Sequence, residues 1–411
     1  DYYASRGLGD VYKRQGLGMR STMMVNPLNP AAYSMTPRQG FLFDFGVEGV
    51  NFYNRQQKYA DGGQSVSRTS YNTFNFHDIA FQLPLAKRLG LGFSLTPYSS
   101  VGYRVSADDQ SDEVWGNIGR VQYLYAGEGD LTEVKLGIGW EVAKRFSVGI
   151  AAQYYWGDIE RTYQTVVTNN IVAGGSVNTV TGTDSYTVSR IKMQLGVQAD
   201  LIRTERQLLT LGATYDVGGN LRPSANRSVT AGDIYGTAVR GDTTRMALKL
   251  PVQVGVGLFY QNAKIAAGVD YVYQNWERNE SPRSIPGAVD VAYKNTSTVK
   301  AGFEYTPNRM DIRNYLKRWS YRVGFRYGTY YQTFGGETLS QYAVTAGFGI
   351  PVRFLGRSSI DFGVEFGQRG NDSPLRIDNR QIGLVRQRYV KFSLGLTLFG
   401  EDSWFVRYKY D

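Results

Sequence analysis

The sequence predicts an all-β fold, a transmembrane antiparallel β-barrel of about 14 strands with the N-terminal segment inside the lumen as a hatch or plug. Three observations carry this. Alternating apolar and polar residues recur in blocks of about 9–12, the span of a tilted transmembrane strand rather than of a soluble sheet. Short and long connections between the blocks alternate, as in a barrel with tight turns at one rim and longer loops at the other. The residues ahead of the first block are stiff, apolar and aperiodic, so something else has to bury them.

Composition narrows the alternatives. The chain has 411 residues, no run of about 18 apolar ones, and a mean hydropathy of -0.35, which excludes transmembrane helices. A barrel meets lipid with alternate residues only, so its average hydropathy stays low. The 48 Gly, 31 Tyr, 20 Phe and 6 Trp against 12 Pro suit it. With no cysteine there is no disulfide and no thiolate metal site. The net charge of +10 comes from scattered basic residues, a pattern that argues against a nucleic-acid partner.

The segment 1–40 is read as N-terminal segment and hatch, and 41–411 as barrel. The chain opens on Asp1 with no signal peptide, as a mature or truncated chain would. Asp10-Val11-Tyr12-Lys13-Arg14-Gln15 resembles adapter read-through, so nothing is built on residues before Gly16. Asn26-Pro27-Leu28-Asn29-Pro30-Ala31-Ala32-Tyr33-Ser34 holds two Asn-Pro steps. Each proline lacks a backbone donor and drives its predecessor out of the α region. The result is a kinked knot fit for neither helix nor sheet, flanked by the apolar Met23, Met24, Val25 and Met35.

From Phe41 the alternation is clear, with Phe41, Phe43, Phe45 and Val47 on one face and Leu42, Asp44, Gly46 and Glu48 on the other. Further outward sets are Phe146 to Tyr154, Ile191 to Ala199, Leu248 to Leu258, Val299 to Tyr305, Ile360 to Phe366 and Val390 to Leu398, taken at every second residue. Tight turns are read at Ala86-Lys87-Arg88, Ala143-Lys144-Arg145, 203–206, Gln261-Asn262-Ala263 and Leu355-Gly356-Arg357. Polar loops are read near 54–70, 105–130, 163–185, 222–243, 278–292 and 370–386. Taking 105–130 as one excursion gives an even strand count with both chain ends periplasmic. Inside a strand, Pro97-Tyr98-Ser99-Ser100 marks an interruption of the wall, since proline cannot donate to a ladder.

Inward positions hold many glycines, among them Gly137, Gly139, Gly255, Gly257, Gly347, Gly349 and Gly367. Either they leave room for plug and ligand or neighbouring aromatics pack over them. Charges of both signs accompany them: Glu141, Lys192, Lys249, Asp270, Lys300, Glu304, Arg322, Arg326, Asp361, Glu365 and Lys391. On the lipid side each would cost about 2–4 kcal/mol at mid-depth, so they are assigned to the lumen. An enzyme is not expected. His77 is the single histidine, which rules out a two-His metal site, and Asn75-Phe76-His77-Asp78 fits no nucleophile motif. No catalytic residue, metal site or cofactor is assigned.

Asn29-Pro30-Ala31, with the Gly- and Met-rich piece Gly16 to Val25 before it, resembles the hatch of the FadL-like (OMPP1/FadL/TodX) family of long-chain fatty-acid outer-membrane transporters. The stretches YRVGFRYGTYYQ and SSIDFGVEFGQRG look like a branch of that family. Ala32 stands where the family usually has Gly, and a second Asn-Pro step precedes the motif. The resemblance implies a monomer in the outer membrane of a Gram-negative bacterium, meeting outer-membrane lipid. It implies passive diffusion of a hydrophobic small-molecule ligand, such as a long-chain fatty acid, through a plugged barrel. Met23, Met24, Leu28 and Phe259 would be ligand contacts, and Pro97 to Ser100 the site of sideways exit. The alternative is a non-transporting barrel acting as a scaffold or secretion-system component. An apolar pocket of ligand size beside the hatch favours the first; a filled lumen favours the second.

Overall fold

A computed structural model of the chain describes residues 16–36, 40–60, 63–108, 114, 119–169, 176–221, 224–232, 237–239, 249–278, 291–352, 358–377 and 380–401. The wall is a closed antiparallel barrel of 14 strands. In chain order they are β1 Gly40–Ala60, β2 Gly63–Ala86, β3 Leu89–Asp108, β4 Arg120–Ala143 and β5 Phe146–Asn169. Next come β6 Ser176–Arg203, β7 Gln207–Asp216, β8 Val252–Asn262, β9 Ile265–Asn275 and β10 Thr296–Tyr305. The last are β11 Ser320–Phe334, β12 Glu337–Val352, β13 Ser358–Arg369 and β14 Arg380–Glu401. Each pairs with its sequence neighbours, and β14 returns to β1 in register from Gly40 opposite Glu401. Closure joins the first strand to the last, so the sheet has no terminal edge strand in the hydrocarbon, where an unpaired backbone group would cost several kcal/mol.

The period of two sets the faces, and the cost of charge in lipid sets which one points out. Phe362, Phe392, Leu394 and Val254 are exposed on the outer face, whereas Asp361, Glu365 and Arg326 are buried inside. Lys391, at 13% side-chain exposure, reaches Glu48 and Glu365 within the lumen. Tyr154 stacked on Trp156 contributes to an aromatic rim above this apolar band.

Three expectations need correction. Several strands run far past the membrane span: β6 has 28 residues, and the β1/β2 and β5/β6 ladders continue to Ala60–Gly63 and Asn169–Ser176. The expected loops 54–70 and 163–185 are therefore mostly hairpin. Above the membrane both strand faces meet water, so alternation disappears although Thr, Tyr and Val keep the segments extended. The excursion read over 105–130 likewise consists largely of the ends of β3 and β4, with Val121–Tyr125 inside β4. Third, Leu250 does not continue the outward set of β8. It is buried at 6% because Lys249–Leu250 leaves the wall to pair with Gly219–Asn220. The predicted turn at Leu355-Gly356-Arg357 and everything before Gly16 lie outside the described residues.

Opposite faces of one strand supply a direct check. In vesicles, a spin label at Phe392 is expected to relax with oxygen dissolved in lipid, and one at Lys391 with a water-soluble nickel complex. The reverse pattern would place the register one residue off.

Candidate functional site

The lumen is occupied from the tight-turn rim by residues 16–36, almost all buried. Pro30–Met35 forms a short 3-10 turn capped by Asn29, whose side-chain oxygen accepts from the Ala31 N–H at 3.1 Å. The same amide donates to the carbonyls of Leu17 at 3.0 Å and Val197 of β6 at 3.1 Å. One side chain thus satisfies the turn's start, the preceding hatch turn and the wall, which a buried amide requires. Pro30 and Ala31 lie against Gly139 and Gly149, where an added Cβ would collide with Pro30 backbone atoms.

Other wall strands reach the hatch through polar side chains. Asp44 of β1 accepts from the Val25 N–H at 3.2 Å, and Asp270 of β9 accepts from the Leu17 N–H through both oxygens at 3.1 and 3.2 Å. Gln198 of β6 donates to the carbonyls of Leu17 and Met19 at 3.0 and 3.1 Å. Lys135 of β4 donates to the Pro27 carbonyl at 3.0 Å.

Arg20 is a further anchor, and sequence reasoning missed it. Its guanidinium is fully buried, 2.8 Å from Asp200 Oδ2, donates to Ser147 Oγ at 2.8 Å, and lies 3.9 Å from Glu141. The signal was a lone charge inside the apolar run GLGMRSTMMV. A charge that is to be buried needs a partner of opposite sign, and Glu141 had already been assigned inward.

The remaining lumen is braced by ion pairs between wall strands. Arg322 of β11 bridges Glu304 of β10 at 2.8 Å and Asp361 of β13 at 2.6 Å. Arg326 meets Glu365 at 2.9 Å, which also accepts from the Tyr389 hydroxyl at 2.6 Å. His77 bonds its neighbour Asp78 at 2.8 Å and lies 4.0 Å from Glu48. The two explanations for inward glycine divide along the same line. Gly137, Gly139, Gly255 and Gly257 lie against hatch residues and Gly367 under the Tyr389 ring, whereas Gly349 lies under Arg322 and Asp361, which neither explanation covers.

The four expected ligand contacts separate. Met24 and Phe259 pack together with Met19 and Ala266, and Met23 lies against them. Leu28 instead borders a cavity of about 140 Å³ shared with Leu17, Tyr98, Tyr155, Lys135 and Lys192. The Pro97–Ser100 stretch is a true irregularity. The β3/β4 register slips between Pro97 and Ser99, and the β2/β3 ladder ends at Ile79 opposite Leu95. From there β2 stays with β1 and β3 with β4, so the wall parts above Thr96. The slip turns Tyr98 toward the lumen, edge-on to Tyr155 at 4.7 Å between centroids. Pro97 and Ser100 stay outside the cavity lining, and Ser99 is buried at 9%. A larger concavity of about 500 Å³ between Leu258, Phe303 and Phe325 is unrelated to the lumen, since it lies on the lipid-facing side of β7 to β11.

A closed antiparallel barrel of 14 strands with residues 16–36 buried in its lumen is a transmembrane barrel that matches the FadL-like barrels in fold. The chain belongs to the BamG family, whose model matches residues 7–411. Among solved structures it is similar to a Pseudomonas aeruginosa FadL homologue, at 15% identity and a TM-score of 0.59 over 90% of this chain and 92% of that one. It is also similar to the Pseudomonas putida toluene transporter TodX, at 14% identity and a TM-score of 0.56, over 91% and 92% of the chains. For the Ralstonia pickettii toluene transporter TbuX the values are 14%, 0.53, 96% and 98%. These likenesses establish the fold. No curated protein matches the chain.

Because no strand ladder runs through the hatch, its anchors can be cut without opening the wall. Replacing Asn29 and Pro30 by Ala should preserve heat-modifiable gel mobility while loosening the segment. The chain has no cysteine, so a single Cys at Met24 reports this directly. Its reaction with a water-soluble maleimide should accelerate at least about tenfold in the double variant, given about 1–3 kcal/mol per buried group left unpaired. An unchanged rate would make the knot a simple turn into β1.

Proposed function

We propose that the protein is an outer-membrane channel of a Gram-negative bacterium through which hydrophobic small molecules diffuse passively, leaving sideways between β2 and β3. The observation that carries this reading is Tyr98, which lines the lumenal cavity and also stands at the register slip where the wall parts. A molecule beside Tyr98 has apolar contacts on the lumenal side, from Leu17, Leu28 and Tyr155, and the bilayer on the other. The FadL homologue and the toluene transporters named above share the fold, which supports the reading by analogy of architecture.

Size guides the choice of cargo. A cavity of about 150 Å³ holds a benzene ring, and this one is about 140 Å³. That volume suits a ring-sized molecule lying against Leu17, Leu28, Tyr98 and Tyr155, with Glu133, Lys135, Gln153 and Asp216 on the polar side of the same cavity. A long-chain fatty acid needs the hatch to shift, its carboxylate then meeting Lys135 or Lys192 at the cavity wall.

One observation favours the second reading, a non-transporting barrel that serves as a scaffold. Above Ile79, β2 has no ladder partner on its β3 side, and nearly all of residues 64–75 are exposed on both faces. Unpaired backbone of this kind can accept a strand from another protein.

Uptake separates the two. In a host lacking its own transporter, the wild-type protein should raise uptake of radiolabelled toluene above that of labelled oleate. Ser99→Trp, which fills the space beside Tyr98, should lower toluene uptake at least about fivefold with gel mobility unchanged. Wild-type uptake no greater than that of empty cells would favour the scaffold.

A further inference from the structure

The wall is broken a second time, far from Pro97, between β6 and β7. The β6/β7 ladder runs up to Gln194 opposite Asp216. Pairing on that side of β6 resumes only at Thr187 opposite Ser224. Between them the Val217 N–H still donates to the Met193 carbonyl at 3.0 Å, but among the described residues Val188–Lys192 of β6 has no ladder partner on this side, while its other edge stays fully paired with β5. The chain that should fill the gap has turned inward. Gly219–Asn220 pairs with Lys249–Leu250, and Leu221 is buried at 0% in a lumenal cluster with Tyr155, Val188 and Leu250.

Charge and apolar surface sit together at this break. Arg190 and Lys192 occupy inward positions of β6, opposite Tyr155 and Gln153, yet Arg190 is exposed and Lys192 half-exposed because strand β7 is missing there. Each donates to a carbonyl of the in-turned chain, Arg190 Nε to Leu221 at 3.3 Å and Lys192 Nζ to Asn220 at 3.4 Å. Among the described residues neither has a carboxylate within 4.0 Å, unlike Arg20, Arg322 and Arg326. Directly outside, Ile191 and Met193 are 67% and 46% exposed. The Tyr154 hydroxyl shares a hydrogen bond with Ser189 at 3.0 Å, which places the break at the aromatic rim where lipid headgroups lie.

We propose that this break is a lateral binding site for a membrane amphiphile with an anionic headgroup. The phosphate or carboxylate lies between Arg190 and Lys192, and the acyl chain runs down over Ile191 and Met193. Two cations with only neutral partners at the headgroup level leave positive charge for an oxyanion to neutralise. Guanidinium favours planar, two-point recognition of such groups. Lys192 also lines the lumenal cavity, so the bound headgroup would touch its contents. The site does not depend on the cavity carrying cargo.

The native chain has no cysteine, so Met193→Cys gives a single position for a bimane label in reconstituted vesicles. Quenching is compared at equal mole fraction for brominated phosphatidylcholine, brominated phosphatidylglycerol and a brominated fatty acid. At least one anionic species should quench about twofold or more above phosphatidylcholine. Which one does so distinguishes a resident phospholipid from a free acid. The excess should vanish in R190Q/K192Q and persist in the charge-keeping R190K/K192R, with folding checked by gel mobility. Equal quenching by all three in the labelled parent overturns the proposal. So does an excess that survives R190Q/K192Q.

Discussion

Lipid offers the backbone no hydrogen-bond partner, and the rest of the structure answers to that constraint. A sheet in hydrocarbon has to close on itself, so β14 comes back to β1 along almost its whole length. Closure creates a lumen that has to be filled, and a barrel of 14 strands is too wide for its own side chains to meet everywhere. The two halves fill it differently. Strands β3 to β8 thin their inner faces to glycine and admit the hatch, while β10 to β14 with β1 cross-brace through buried ion pairs.

The outer surface was legible because lipid imposes one rule on every second residue. Phe392 against Lys391, or Phe362 against Asp361, admits only one orientation. The strand count followed from parity, with the turn at Lys87-Arg88 and that at Lys144-Arg145 both placed at the same rim. The extramembrane hairpins were not legible, because alternation is lost where both faces are wet. The inward dip of residues 217–221 was hidden for a different reason. Val217-Gly218-Gly219-Asn220 carries the same turn signals as any loop, and only the buried Leu221 and the pairing of Gly219 with Leu250 distinguish it.

The hatch was legible in outline and opaque in detail. Two Asn-Pro steps said that the segment could join no ladder and would have to be buried by the wall. The partners could not be foreseen, since Val197, Asp200 and Ser147 approach only after the barrel has closed. The expected ligand contacts dispersed for the same reason. Met24 and Phe259 are apolar and inward but sit at the tight-turn end, whereas Leu28 reaches the cavity. Apolar character gives the side of the wall, not the height along it.

The position of the hatch also dictates an order of assembly. It immediately precedes β1, and β1 is one of the two strands that seal the wall, the other being the last in the chain. Residues 16–36 touch strands on both sides of that seam, through Asp44 and Gln82 on one side and through Val25 packed with Phe399 of β14 on the other. Threading a kinked segment with two Asn-Pro steps into a finished cylinder would mean passing chain through a closed ring, which protein topology avoids. The unfinished sheet must curl around the segment and zip shut last at the β1/β14 seam. The buried guanidinium of Arg20 ties the segment to this order, because its pairing with Asp200 forms only when the segment lies inside the curled sheet.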